Sequence, residues 1–540
     1  MNFQSKASSL QESISTMQKV LQNAGCSYTF SQEKHPLGNC FSINIASKEA
    51  PQHIYANGKG VLSDASMASA LGEYIERLQT NNFFVDFHLP ERTYYPDQEA
   101  FEFGGGYLNK KLLKLYDPHR ELSDEDLVDF NSDYTDKIVS LPFINQTTKE
   151  RVYFPLNILA NLYVSNGLAS GNTPLEAQVQ ALSEIIERHV KIEIIKNAYA
   201  LPSYDDAELA KFPRVAEDVA ALRKLGYVVE VHDASLGGRF PVTAISLINP
   251  KNATLFVSFG SHPILEVSLE RTMTELMQGR DIENLDNFET PTFDMSIVAE
   301  SLNLESHFID SNGRLGFGFL NANKSFSHAA WSFEKQSIDE QHALLCDIIK
   351  KEGKEIYLRE YDFLGFYSCH IIVPTFSEVY PMEDMLYNNK NGGKRIRDMI
   401  LNRDEYDAED LLTEIEALDE TLDAEKYIGV IFKENFTIGE LKAQLLLELG
   451  ETEEAILLFE SSQKRLAKLL AELLHMESQG LDFDDYAHAF SSLFGAELTQ
   501  KALRIIDGEA SFIDTTLSET YKGILKMYDS LEIQKRAMIA

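Results

Sequence analysis

Apolar residues along the chain follow two spacings. At 10–23 they recur three and four positions apart (Leu10, Ile14, Met17, Val20, Leu21), which predicts a helix with one buried stripe. Short runs of branched and aromatic residues predict strands at 41–47, 53–56, 151–154, 227–232, 242–247, 254–259, 357–359 and 368–373. Helical spacing returns between them at 65–79, 174–197, 206–225 and 264–278. Residues 84–106 are aromatic and rich in turn formers. Mixed α and β character ends near residue 400. Residues 403–426 then read as an acidic, solvated helical connector, and from 436 onward no strand is predicted. Gly439, Ala443, Gly450, Ala455 and Phe459 fit one tetratricopeptide-like helix pair, with a blurred second unit across 467–493. The expected fold class is α+β. It comprises a mixed domain over 1–400, a connector over 401–435 and an all-helical, tetratricopeptide-like domain over 436–540 suited to packing or dimerisation.

One stretch, 165–191, stands out within this pattern. A glycine-containing turn at 166–172 runs into the helix at 174–197. Thr173 is placed as N-cap, Pro174 at the first helical position and Glu176 at the third, which is the spacing of a capping box. The free N–H groups of such a helix start form a natural anion site. The same helix ends in Ala181-Leu182-Ser183-Glu184-Ile185-Ile186-Glu187-Arg188, which repeats Ala70-Leu71-Gly72-Glu73-Tyr74-Ile75-Glu76-Arg77 of the preceding helix.

Residues three apart share a helix face, so Glu73 points with Glu76 and Glu184 with Glu187. A third helix carries Glu270, Arg271, Glu275 and Gln278. A lone Glu-x-x-Glu-Arg helix is ordinarily a solvated stripe with local ion pairs. Here Leu71, Tyr74, Ile75, Leu182, Ile185 and Ile186 surround the carboxylates, so these helices are expected to be buried. Buried carboxylates must be paired, protonated or metal-bound. Hard oxygen ligands suit Mg²⁺ or Ca²⁺, and Arg77, Arg188 and Arg271 suit phosphate oxygens. Di-iron carboxylate chemistry needs Glu-x-x-His pairs, and Glu472-x-x-His475 in the tail is the single example. Neither Gly104-Gly105-Gly106 nor Asn391-Gly-Gly-Lys394 continues as a P-loop. The residues therefore predict a magnesium–nucleotide site built without one.

Composition narrows the partners. The 540 residues carry 49 basic and 84 acidic side chains, a formal net charge of −35, which argues against nucleic-acid or anionic-membrane binding. Cys26, Cys40, Cys346 and Cys369 are scattered without a Cys-x-x-Cys pair, as expected of reduced thiols in a cytoplasmic protein. No 18-residue apolar run or apolar leader segment occurs, which argues against membrane spanning and secretion. His189 and Cys369 read as packing residues and His262 as a turn former before Pro263.

The chain resembles the YcaO family. The resemblance is carried by the Gly58-Lys59-Gly60 segment with its following helix to Leu78, by 163–188, by Phe259-Gly-Ser-His-Pro263 and by 269–280. It implies a non-P-loop, ATP-utilising enzyme that phosphorylates a peptide-backbone amide, with ATP and Mg²⁺ as cofactors. By the same resemblance Glu73, Glu76, Glu184, Glu187 and Glu275 are Mg²⁺ ligands, and Lys6, Ser13, Ser69, Asn172, Glu176, Arg188 and Arg271 are nucleotide contacts. Azoline-forming members often end in a Pro-x-Pro-x-Pro tail, which this chain lacks. That fits the accessory-factor branch, where the implied partner is a radical-SAM methylthiotransferase acting on an aspartate of a small-subunit ribosomal protein. The competing expectation is a non-catalytic ATP-binding scaffold whose helical tail docks a partner; a homodimer through that tail is also expected.

Overall fold

The computed structural model describes residues 6–33, 35, 37–278, 280, 284–309 and 312–539. Residues 1–5, Gly279 and Ala540, which belong to sequence patterns discussed above, lie outside them. The first helix, α1, is Leu10–Asn23, with Ser9 and Glu12 forming a reciprocal cap. Three antiparallel strands follow, β1 (Tyr28–Glu33), β2 (Phe41–Ser47) and β3 (Tyr55–Gly60), in the order β1-β2-β3. Helix α2 (Ser63–Gln79) then packs back across β3.

A larger antiparallel sheet follows. It contains β4 (Glu99–Glu102), β5 (Lys137–Asn145), β6 (Arg151–Pro155) and β7 (Leu168–Gly171). Helix α3 (Pro174–Asn197) leaves β7 after a two-residue link. A second three-stranded meander is built from β8 (Val228–Asp233), β9 (Val242–Asn249) and β10 (Thr254–Ser261), followed by α4 (Leu265–Met277). Strands β11 (Tyr357–Tyr361) and β12 (Tyr367–Ile372) complete the large sheet in the order β4-β5-β11-β12-β7, with β6 on the other side of β5.

The two meanders share one plan. In each, a helix precedes three antiparallel strands and a second helix packs over the last strand. A glycine in that strand permits the close approach. A Cβ on Gly58 would stand 2.1 Å from the Ser66 carbonyl and 2.3 Å from the Ala70 amide; one on Gly260 would stand 2.6 Å from the Ser268 carbonyl and 2.6 Å from the Thr272 amide. These partners lie eight and twelve positions downstream of the glycine in both modules. Glu73 and Glu275 occupy equivalent places, as do Ser69 and Arg271.

The structure corrects several sequence expectations. The strand expected at 53–56 begins at Tyr55 and runs through Gly60, because pairing with β2 carries it across the glycines. The turn at 166–172 contains the strand β7, which β12 recruits by pairing. Pro213 divides the helix expected at 206–225 into Asp206–Leu209 and Pro213–Lys224. The acidic connector is likewise broken, into the helices Ala408–Ile415 and Ala424–Ile428. From Ile438 onward the named elements are helices, beginning with the hairpin Ile438–Leu449 and Thr452–Ser461.

This helical tail shares an apolar core with the N-terminal module, running from Leu71 and Phe84 to Phe432, Leu470 and Leu531. The last helix, Glu519–Ile539, is fixed by residues seven apart. Tyr521 donates to the His88 carbonyl at 2.7 Å, Tyr528 to the Tyr94 carbonyl at 3.2 Å, and the buried Lys535 ammonium lies 5.0 Å from the Tyr95 ring. Among the described residues no helix is long and apolar enough to cross a membrane. All four cysteines are free, and Cys369 is a core thiol.

Candidate functional site

Helices α2, α3 and α4 meet between the sheets and enclose a cavity of about 610 Å³. All twelve residues singled out as metal or nucleotide candidates line it: Lys6, Ser13, Ser69, Glu73, Glu76, Asn172, Glu176, Glu184, Glu187, Arg188, Arg271 and Glu275. They come from the first helix and the segment before it, from α2, from the β7–α3 turn, from α3 and from α4.

Each carboxylate is already engaged by a cation or an N–H group. Arg77 serves both glutamates of α2, 3.5 Å from Glu73 and 3.4 Å from Glu76. Arg188 lies 3.1 Å from Glu184. Glu187 accepts from the Ser261 amide at 3.0 Å and lies 3.9 Å from Arg271. Glu275 pairs with Lys59 of β3. Lys59 was not among the residues expected here; its signal in the sequence is a lysine between two glycines beside the first repeated helix. Lys191 also lines the cavity unforeseen, one turn beyond Glu187, and donates to the His307 carbonyl at 2.5 Å. Burial lowers the pKa of Lys59 and of Lys191 to about 8.

The capping box is only half formed. The Thr173 hydroxyl accepts from the Glu176 amide at 3.2 Å. The Glu176 carboxylate does not return to Thr173 but accepts from the Ala7 amide at 2.9 Å and from Asn172 at 3.0 Å, and pairs with Lys6 at 3.3 Å. Ser13 donates to Asn172 at 2.8 Å. Glu176 is thus a clamp for the segment before α1, and Thr173 alone caps α3.

The donor set fits magnesium and a triphosphate. Glu76 is only 7% exposed, and burial raises its pKa to about 8; burial likewise raises that of Glu73. Both shifts come first from removal of the carboxylates from water, with Arg77 opposing them. Among the described residues the buried Arg271 Nε meets no hydrogen-bond partner. Among the described residues no three His, Cys, Asp or Glu side chains stand close enough to hold a metal by themselves. Magnesium suits such a site, because it draws part of its shell from water and phosphate oxygens.

His189 stacks on Phe376 at 3.7 Å, as expected of a packing residue. His262 does shape the turn before α4, its Nδ1 accepting from the Ile264 amide at 3.0 Å, but it also lines the cavity.

Comparison with known proteins places the chain in a family. Residues 57–377 match the family described as the ATP- and Mg²⁺-binding YcaO cyclodehydratase, and 393–529 match the YcaO cyclodehydratase C-terminal domain. The chain is 37% identical over 579 aligned positions, covering 99% of it and 98% of its relative, to the ribosomal protein S12 methylthiotransferase accessory factor YcaO of Escherichia coli strain K12. It is 35% identical to an uncharacterised protein of Haemophilus influenzae, over 98% of each chain. Solved structures similar to parts of the chain include a heterocyclase in complex with substrate and cofactor (17% identity, TM-score 0.47, 71% of this chain and 55% of that one). Another is YcaO from Methanopyrus kandleri bound with AMPPCP and Mg²⁺ (16% identity, TM-score 0.44, 71% and 94%). With both family models matched along most of its length, and a relative aligned nearly end to end, the chain belongs to the ATP- and Mg²⁺-binding YcaO family.

Proposed function

We propose that this protein hydrolyses ATP with Mg²⁺ to phosphorylate, and so activate, a peptide-backbone amide. We assign Glu73, Glu76, Glu184, Glu187 and Glu275 as metal ligands, and Lys6, Ser13, Ser69, Asn172, Glu176, Arg188 and Arg271 as nucleotide contacts. The observation that carries this reading is the convergence of five glutamates with arginines and lysines on one cavity.

Magnesium, when bound, supplies positive charge against the triphosphate and the glutamates. The chain's own part is an exchange of partners. Glu184 would hold the metal, and Arg188, paired with it at 3.1 Å in this structure, would offer its paired N–H donors to phosphate oxygens. Arg271, 3.9 Å from Glu187, would offer donors to phosphate oxygens from α4. The test is phosphate release from ATP with Mg²⁺, with and without candidate peptides. The unaltered chain should turn over slowly, and Glu184→Ala should lose about 100-fold or more. Equal rates would remove the enzyme reading.

The same proposal extends to partners. The near full-length relation to the E. coli accessory factor supports a role beside a radical-SAM methylthiotransferase that modifies an aspartate of a small-subunit ribosomal protein. The break in strands after Ile372 supports reading 1–400 as the catalytic unit, 401–435 as a connector and 436–540 as a tetratricopeptide-like unit. Leu457 and Leu493, 66% and 72% exposed on tail helices, favour a second reading in which ATP stabilises a scaffold and the tail docks a partner or a second copy.

A further inference from the structure

His262 stands in the short link between β10 and α4, two positions beyond Gly260. The equivalent position in the first module is Gly60, so the two modules differ here by a whole side chain. His262 is 4% exposed and lines the cavity. Its Nδ1 accepts from the Ile264 amide at 3.0 Å. A backbone N–H only donates, so the ring proton sits on Nε2. Among the described residues no hydrogen-bond partner meets that Nε2–H, and Nε2 is absent from the fully enclosed unpartnered atoms, as expected of a donor open to the cavity. Burial, with the nearby charges of Arg271 and Lys6, keeps the ring neutral, with a pKa lowered to about 3. The start of α4, a 13-residue helix, lies three positions beyond it and adds the positive end of a helix dipole.

We propose that His262 binds the nucleotide directly, its Nε2–H donating to a phosphate oxygen alongside Lys6 and Arg271. This rests on the nucleotide reading of the cavity. The ring is locked by the Ile264 amide before ligand arrives, so the donor is preorganised and loses little freedom on binding. Being neutral, it adds a directed hydrogen bond without adding to the repulsion among the cations that surround it.

Asparagine and glutamine separate the two ring nitrogens. In His262→Asn the amide oxygen can replace Nδ1 and keep the Ile264 contact, but nothing reaches the Nε2 position. In His262→Gln the longer amide restores a donor near Nε2. His262→Met fills the volume and donates nothing. Calorimetric titration with Mg²⁺ and AMPPCP should show binding weakened about tenfold or more in the Asn and Met variants, and within about threefold of the unaltered chain in the Gln variant. Titration with adenosine, which has no phosphate, should be unchanged by all three. Equal AMPPCP affinity in the Asn variant, or an equal loss with adenosine, would overturn the assignment of His262 alone. Failure of the unaltered chain to bind Mg²⁺ and AMPPCP would overturn the nucleotide reading together with it.

Discussion

The two strand-meander modules present opposite electrostatic situations from one backbone plan. Glu73 of α2 and Glu275 of α4 are equivalent by position, yet their partners differ. Glu275, on the second module, is met by Lys59 from the first. Glu73 shares the single guanidinium of Arg77 with Glu76, and Glu76 is the more buried of that pair. The second module also offers a backbone donor, the Ser261 amide, to Glu187 of α3 at the position where the first carries Lys59. The first module is therefore the under-compensated half of the cavity, and the second supplies polar donors and an arginine. A cation entering the cavity gains most beside α2.

This contrast can be broken most severely at Arg77. Arg77→Met leaves the buried Glu76 and the one-third-exposed Glu73 without their shared cation and should cost about 3–5 kcal/mol in denaturant unfolding. Lys59→Met removes the ion-pair partner of the one-third-exposed Glu275 and a more distant cation from Glu187, Glu184 and Glu73, and should cost less, about 1 kcal/mol. Comparable losses would show that the two halves are equally compensated. The shared backbone plan is tested by Gly58→Ala and Gly260→Ala. Each added methyl meets backbone atoms that cannot swing away, so both should lose about 1–3 kcal/mol. A neutral result at one glycine would separate the modules.

A smaller effect is expected from pH. The pKa of Glu76 rises from an ordinary 4.5 to about 8 through burial. The folded chain therefore binds a proton there that the unfolded chain releases. The stability this contributes is fully present below about pH 4.5 and is lost as pH rises through about 8. Without divalent metal, Tm should fall from pH 5 to pH 8 by a few degrees more in the unaltered chain than in Glu76→Gln. Parallel pH profiles would contradict the compensation argument. The smallest change concerns α3, which lies outside both modules. Thr173→Ala should remove its cap and cost about 1 kcal/mol, whereas Glu176→Gln should leave helix stability unchanged and weaken nucleotide binding.

Much of this was legible in the sequence where local signals suffice. Helices α1 and α3 begin and end where their apolar spacing and caps place them. The repeated octet identified the two glutamate pairs because i, i+3 spacing fixes a shared face on any helix. What stayed hidden depended on tertiary pairing. Strand β7, Leu-Ala-Ser-Gly, has little intrinsic strand preference and exists because β12 pairs with it. The module repeat left almost no trace, since it rests on two glycines and an offset rather than on similar residues. The path of the Glu176 carboxylate depends on Ala7, 169 positions away, and a capping-box pattern carries no information about so distant a competitor.

The central claim, that α2, α3 and α4 assemble one metal–nucleotide site, is tested most directly by crystals grown with Mn²⁺ in place of Mg²⁺ and with AMPPCP. Anomalous difference maps should place manganese about 2.0–2.3 Å from carboxylate oxygens of Glu73, Glu76, Glu184, Glu187 and Glu275, with the triphosphate completing the shell. Manganese and nucleotide bound outside this cavity, or a cavity in which the Arg77 and Arg188 ion pairs persist with nucleotide present and no metal peak, would contradict it.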